Sequence, residues 1–370
     1  MIKSLSIRNF KNYERLSAAF RPGINFFVGK NGVGKTNLLD AIHYLGVTRS
    51  FLTPQDKYNV RFDTDFFRME ALVGRAGHEQ TIVAKVKPGQ LKEFAVDGVK
   101  IERLGDHLGF LPVIVLAPQD QMLITGISAD RRRFVDFYLC QTDPAYLGSL
   151  SLYNRLLNQR NAALKEGGWH VDRDLVMTYT DNMVEPVDRI AAAREAFVAA
   201  LQPRVVHHYQ QISDNEVDIR LTYRTTCRQA DFRHRTEEAF DRDRALGRTT
   251  FGIHRDDILF DLGEQPVKRF GSQGQSKTYL IALHLALCDV LRARNQVPPV
   301  LLLDDIFDKL DDQRVRHLVD TLGRHDFGQV FITDARPARI EQVCTEIAAE
   351  ARVMYLADNA IDDVRDYPDN

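Results

Sequence analysis

The sequence predicts an α/β fold built around a phosphate-binding loop and interrupted by a mainly helical insertion. Three observations predict it. A glycine-rich stretch of the form GxxxxGK[ST], Gly29 to Thr36, follows a buried-strand pattern. A pair of acids, Asp304-Asp305, ends a second apolar run about 270 residues further on. Between them, from about residue 129 to 212, the chain becomes rich in Arg, Leu, Ala and Gln at helical spacing.

Taken in order, Ile2 to Phe10 alternates as a strand, and Ile24-Asn25-Phe26-Phe27-Val28 is a compact apolar run that meets Gly29. Thr36 to Tyr44 has helical spacing. Residues 67–99 alternate with turn signals at Gly74, Pro88-Gly89 and Asp97-Gly98, the pattern of an antiparallel meander. Val113 to Leu116 is another apolar strand. The helical middle includes Ala191-Ala192-Ala193-Arg194-Glu195-Ala196, a strong helix former. Residues 217–224 suit a strand, 225–248 are polar and charged, and strand-like order returns near Phe251. The last clear pattern is helix 276–294, strand 300–303, helix 312–322, strand 329–333 and helix 337–350.

Bulk properties bound the function. A chain of 370 residues exceeds one small core and implies a main domain with a sizeable insertion, or two domains. Apolar residues at 44% and charged residues at 27% are those of a soluble globular protein. No apolar run approaches the roughly 20 residues of a membrane helix. Met1-Ile2-Lys3-Ser4-Leu5 has no signal-peptide core, so a cytoplasmic location is expected. Cys140, Cys227, Cys288 and Cys344 form no CxxC or metal-ligand spacing, which fits a reducing compartment. The net charge of −2 excludes a strongly basic, constitutive nucleic-acid binder. Any such binding must come from local patches.

The glycines of Gly29-Lys30-Asn31-Gly32-Val33-Gly34-Lys35-Thr36 let the backbone curl so that successive N–H groups point at phosphate oxygens. The following helix offers its positive N-terminal end. In this pattern Lys35 serves the β- and γ-phosphates of ATP, and the Thr36 hydroxyl serves Mg²⁺. Val300-Leu301-Leu302-Leu303-Asp304-Asp305 is an apolar strand ending in two acids, and buried strands rarely end so without a cation or a reaction to serve. Asp304 is assigned to Mg²⁺ and Asp305, the catalytic acid, to the attacking water. The long separation requires the helical block to be inserted into the ATPase head. Phe270-Gly271-Ser272-Gln273-Gly274-Gln275-Ser276 precedes an apolar helix one element before the acidic strand, the position of the ABC signature loop. After strand 329–333 the sequence reads Thr333-Asp334 where ABC ATPases in general carry a switch histidine. Gln119 and Gln55 are both open as the magnesium-sensing glutamine, and a plain loop glutamine is the competing reading for each.

The Ser-x-Gly-Gln form of the signature loop resembles the RecF family. So do Arg8-Asn9-Phe10-Lys11-Asn12-Tyr13, Arg131-Arg132-Arg133-Phe134-Val135-Asp136, Tyr153, Gln159-Arg160-Asn161, Gly252-Ile253-His254-Arg255-Asp256-Asp257 and Ile306-Phe307-Asp308-Lys309-Leu310-Asp311. These run in order from residue 3 to about 335. The resemblance implies an ABC-type, SMC-like head without a long coiled coil. Residues 1–120 and 249–370 would form the head and 121–248 a mainly helical arm. It also implies a homodimer that sandwiches ATP, with Ser272, Gly274 and Gln275 of one subunit facing the Lys35 loop of the other.

Further expectations follow from the resemblance. They are slow, DNA-stimulated hydrolysis, binding to duplex DNA and to junctions of single- and double-stranded DNA, and partnership with RecR, and through it RecO and RecA, at the nucleoid. Arg131, Arg132, Arg133, Arg155 and Arg160 are candidates for DNA phosphates; taken alone, Arg131 to Arg133 also read as a solvated helix start. Three other classes compete. A non-enzymatic DNA-binding scaffold that only retains nucleotide is opposed by the intact Lys35, Thr36, Asp304 and Asp305. An ABC transporter subunit would keep the switch histidine and have a smaller helical subdomain. Another SMC-like DNA-associated ATPase would show a long coiled coil or an appended nuclease motif.

Overall fold

The computed structural model describes residues 1–75, 77–213, 217–227, 231–295, 297–307, 312–324, 327–347 and 350–368. The chain forms two compact units. The first comprises Met1–Asp120, His207–Glu216 and Gln273–Asn370, and the second Gln121–Val206 and Val217–Ser272.

The first unit opens with strands β1 (Ile2–Phe10), β2 (Tyr13–Ala19) and β3 (Gly23–Val28), helix α1 (Lys35–Val47), and strands β4 (Phe67–Arg75), β5 (His78–Val86), β6 (Glu93–Val96), β7 (Val99–Lys100) and β8 (Val113–Leu116). β1, β2 and β4 to β7 make an antiparallel sheet in the order β2-β1-β4-β5-β6-β7. Its strands alternate buried and exposed residues, as expected where one face packs on a core and the other meets water. The meander read over 67–99 is β4 to β7.

The second unit holds helices α2 (Gln121–Thr125), α3 (Ser128–Thr142), α4 (Pro144–Gly167) and α5 (Arg173–Ser213), the last seven residues of α5 counting with the first unit. Strand β9 (Ile219–Arg224), the short helices α6 (Phe232–Glu238) and α7 (Phe240–Leu246), strands β10 (Asp257–Leu262) and β11 (Gln265–Pro266) and helix α8 (Val267–Phe270) complete it. Asp143 starts α4 by accepting from the amides of Ala145 and Tyr146 at 2.9 and 3.0 Å, with Pro144 in the first turn.

The expected boundary at 248/249 moves to 272/273. β10 pairs antiparallel with β9, and Arg131 and Arg194 tie residues 253–257 to α3 and α5, so 249–272 fold with the arm. The arm therefore carries a three-stranded sheet, β11-β10-β9, beside its helices.

The chain returns to the first unit with α9 (Gln273–Asn295), β12 (Val300–Leu303), α10 (Asp312–Arg324), β13 (Gln329–Asp334), α11 (Pro337–Ile347), β14 (Ala351–Ala357) and β15 (Ala360–Tyr367). These build a second sheet, β15-β14-β3-β13-β12-β8, parallel except for the edge strand β15. β3 and β12 are interior strands, which is why both read as unbroken apolar runs. The two sheets share a core with Phe10, Phe27, Tyr44, Phe67 and Phe331 near its centre. Buried Gln329 of β13 joins them, accepting from the Ile2 amide at 2.7 Å and donating to the Ile2 carbonyl at 2.8 Å. All four cysteines are buried.

Candidate nucleotide site

β3 delivers the chain into the glycine loop, and α1 begins at Lys35 directly after it. Gly34 has φ +102°, and a Cβ there would stand 2.4 Å from Asn12 Nδ2 and 2.7 Å from the Tyr13 hydroxyl. Gly29, at φ +153°, would drive a Cβ to 2.4 Å from the Leu356 carbonyl oxygen. Glycine is thus demanded twice, by conformation and by space. The turn between β1 and β2 braces the loop from behind. The Tyr13 hydroxyl donates to the Gly34 carbonyl at 3.1 Å, and Asn37 donates to Asn12 Oδ1 at 2.6 Å. Lys35 Nζ donates to the carbonyls of Gly29 and Lys30 at 2.7 and 2.9 Å, so the ammonium lies across the mouth of the loop. Burial lowers its pKa, opposed by Asp305, Asp304 and Asp334.

The parallel sheet brings the acids to the same edge. β12 and β3 flank β13, and their C-terminal ends point the same way. Thr36 Oγ1 donates to Asp304 at 2.9 Å (Oδ1) and 3.1 Å (Oδ2), joining residues 268 apart in sequence. Thr333 Oγ1 donates to the same Oδ1 at 2.7 Å and accepts from the Asp305 amide at 2.9 Å. Asp304 is buried, which raises its carboxyl pKa against the hydrogen bonds from Thr333 and Thr36. Asp305 stands exposed in the left-handed region at φ +49°, a conformation that Asp and Asn tolerate better than other non-glycine residues. Where a switch histidine was absent from the sequence, Thr333 orients both acids. Buried Asp334 accepts from the Arg336 amide at 2.6 Å.

Of the two open glutamines, Gln119 follows the C-terminal end of β8, the neighbour of β12, while Gln55 precedes a short helical turn at Asp56–Tyr58. The topology puts Gln119 at the edge that carries Asp304.

Magnesium and nucleotide fit this cradle. Magnesium takes few protein ligands and shares phosphates and water. Thr36 and Asp304 supply one hydroxyl and one carboxylate facing each other, and among the described residues no cluster of three or more His, Cys, Asp or Glu forms a separate metal cage.

The RecF/RecN/SMC N terminal domain family model matches residues 1–355. The chain belongs to this family, on its RecF branch. DNA replication and repair protein RecF of Phocaeicola vulgatus is 38% identical over 363 residues, covering 98% of each chain. That of Cytophaga hutchinsonii is 40% identical over 340 residues, covering 91% of this chain and 90% of the other. A solved structure of the recombination mediator protein RecF with ATPrS in the RecFOR pathway superimposes with a TM-score of 0.87 at 26% identity, covering 98% of this chain and 97% of that one. An SMC head bound to the C-winged helix domain of ScpA matches at TM-score 0.58 and 14% identity, a likeness of fold.

In the segment Phe270 to Ser276, read from the sequence as a signature loop, Ser272 is exposed and α9 starts at Gln273, so Gly274 and Gln275 lie in its first turn rather than before the helix. The segment Ile306 to Asp311 is described only at buried Ile306 and Phe307; Asp308 to Asp311 lie outside the described residues.

The arm arginines separate into two groups. Arg160 is fully buried, its guanidinium on Asp243, Thr180 and Thr249. This overturns its reading as a DNA contact, because no backbone phosphate can reach it. Arg131 is spent on Asp257, with its Nε and Nη2 donating at 2.8 and 3.0 Å. Arg132 donates to the Asp256 carbonyl. Arg133 and Arg155 are exposed. Pattern alone could not separate these, since a buried and a solvated arginine look alike until a carboxylate partner from a distant segment is placed.

Among the described residues no helix is long and apolar enough to cross a membrane.

Proposed function

We propose that this chain is an ATP-dependent DNA-binding clamp of recombinational repair and replication restart, with ATP and Mg²⁺ as cofactors. One observation carries the reading: Thr36 and Thr333 converge on one oxygen of Asp304, which couples the phosphate loop to the acid pair. In this reading Lys35 and the loop amides hold the phosphates, and Thr36 and Asp304 hold magnesium, which supplies charge neutralisation at the phosphates. Asp305 polarises the attacking water. Exposed Ser272 and the half-buried Gly274 and Gln275 at the start of α9 close over the nucleotide of a second copy, so that ATP joins two subunits and slow, DNA-stimulated hydrolysis parts them. Dimerisation adds basic surface and avidity, which lets a near-neutral chain hold duplex DNA and single-/double-strand junctions without sequence preference. The RecF relative's place in the RecFOR pathway supports RecR and RecO as partners, and in this reading RecA is the protein loaded. A nucleoid-associated, cytoplasmic location goes with that role.

Light scattering tests the clamp. The wild type should be monomeric alone and dimeric with ATP and Mg²⁺. Lys35→Ala should stay monomeric, and Asp305→Asn should hold a dimer on duplex DNA. A chain that binds ATP yet remains monomeric with DNA present rules the clamp out.

A further inference from the structure

The exposed face of the antiparallel sheet carries a row of cations that the fold itself does not require. Its register sets Arg8 of β1 directly opposite Arg15 of β2 and also opposite Arg68 of β4, and Arg68 opposite Lys85 of β5. All four are exposed. Residues directly opposite in an antiparallel pair share a face with Cβ atoms about 4.5–5.5 Å apart, and like charges so placed destabilise the sheet. Half of the row is neutralised: Arg68 meets Glu70 at 2.6 Å and Lys85 meets Glu93 at 3.7 Å. Arg8 and Arg15 are paired with no carboxylate among the described residues. Arg8 instead lies over the Phe66 ring, 5.7 Å from its centroid.

Two further features lie beside this pair. Two residues along the strands, about 7 Å away, Ser6 stands opposite Ser17. There the sheet surface sinks into an open depression of about 600 Å³ lined by Ser4, Ser6, Ser17, Leu72 and Thr81, with the Glu70 carboxylate, paired to Arg68, in its wall. On the other side, the Arg61 amide donates to the Asn9 carbonyl at 2.9 Å, holding a loop whose Phe62 is 86% exposed. Cations at one level, a hydroxyl-lined hollow at base distance and a free aromatic face are the parts that bind an unpaired strand: phosphates on charge, bases on pockets and rings. A duplex hides its bases and has no use for the hollow.

We propose that this face binds single-stranded nucleic acid, with Arg8 and Arg15 on successive phosphates and a base in the serine-lined hollow. This rests on the DNA-binding reading above and adds to it a second track, on the head rather than the arm.

The test is fluorescence anisotropy of labelled oligothymidine and of a labelled duplex, with ATP and Mg²⁺, across a potassium chloride series. The proteins are the wild type, Arg8→Ala/Arg15→Ala and Arg8→Lys/Arg15→Lys. Loss of two phosphate contacts should weaken oligothymidine binding on the order of tenfold and flatten its log–log salt slope by about 1.4. The lysine pair should keep both affinity and slope, and duplex affinity should not move in any variant. The proposal is overturned by an alanine pair that holds oligothymidine as the wild type does. It is equally overturned by an equal loss in the lysine pair, an equal loss on duplex, or a wild type that holds duplex but not oligothymidine. A wild type that binds neither brings down the DNA-binding reading itself.

Discussion

Arg160 and Asp243 meet at 2.8 Å with neither side chain open to solvent. The pair joins α4 to α7, and the network extends outward. Arg160 also donates to Thr180 and Thr249, while Asp243 Oδ1 accepts from the Thr250 amide and hydroxyl at 2.8 and 2.7 Å. Removing one member of a buried ion pair strands the other charge, at a cost of about 3–5 kcal/mol. Arg160→Ala should therefore lower the stability of the arm by about that amount in chemical denaturation. Arg160→Lys should recover little, because an ammonium cannot reproduce the fork that reaches Thr180, Asp243 and Thr249 together. DNA affinity per folded molecule should be unchanged; a selective loss of DNA binding with wild-type stability would contradict the buried role.

Acid should loosen the arm through His254. Its Nε2 faces the Thr249 carbonyl at 3.2 Å and so carries the proton, leaving Nδ1 to accept from the Tyr153 hydroxyl at 2.7 Å. Burial, helped by the nearby Arg255 and Arg132 charges, pushes the imidazole pKa down to about 4 from 6.5. The folded value is the lower one, so the unfolded chain binds the extra proton between those limits. Stability is then fully present above pH 6.5 and falls toward pH 4, by about 1.4 kcal/mol per pH unit for this group. Denaturation midpoints across that range should show the slope, and His254→Asn should lessen it by that amount.

Gly34→Ala should damage the nucleotide site more than the fold. The new methyl would enter the space of Asn12 and Tyr13, and φ +102° is a conformation that costs a non-glycine residue about 1–3 kcal/mol. Relief requires the loop to swing away from its brace, which moves the amides proposed to hold the phosphates. Calorimetric titration should find ATP affinity lowered at least tenfold in a protein whose melting shifts only modestly. Unchanged affinity would mean that the brace does not set the loop.

Much of this architecture was legible in the sequence, for a physical reason. Interior parallel strands such as β3 and β12 are buried on both faces and read as apolar runs, and the glycine loop announces itself by spacing. β2, β14 and β15 were not read. β2 mixes Glu14 and Arg15 into its alternation, and β15 is an edge strand whose outward residues include Asp362, Asp363 and Arg365. The arm extends past 248 because strand β10 pairs with β9, 33 residues upstream across Asp257–Arg224, and pairing leaves no local mark. Lys35, Thr36, Asp304 and Asp305 could be named from their motifs. Thr333, Asn12 and Tyr13 could not be given roles, because each acts by touching a residue that only the sheet order brings near.

Thr333 yields the sharpest consequence of that order. Its one hydroxyl donates to Asp304 Oδ1 and accepts from the Asp305 amide, so it fixes the acid proposed for magnesium and the acid proposed for water with respect to each other. Thr333→Val keeps the shape and removes both bonds. Asp304 would retain its bond from Thr36, so ATP should still bind. Asp305, released from its amide anchor at φ +49°, would lose its fixed direction toward the water. Loss of an orienting partner of this kind typically costs about 10–100-fold in activity. The expected result is a kcat reduced by that factor with KM for ATP changed little, and Thr333→Ser, which keeps the hydroxyl, should recover most of the rate. A fall in ATP affinity with kcat preserved would place Thr333 in binding alone and remove it from the alignment of the two acids.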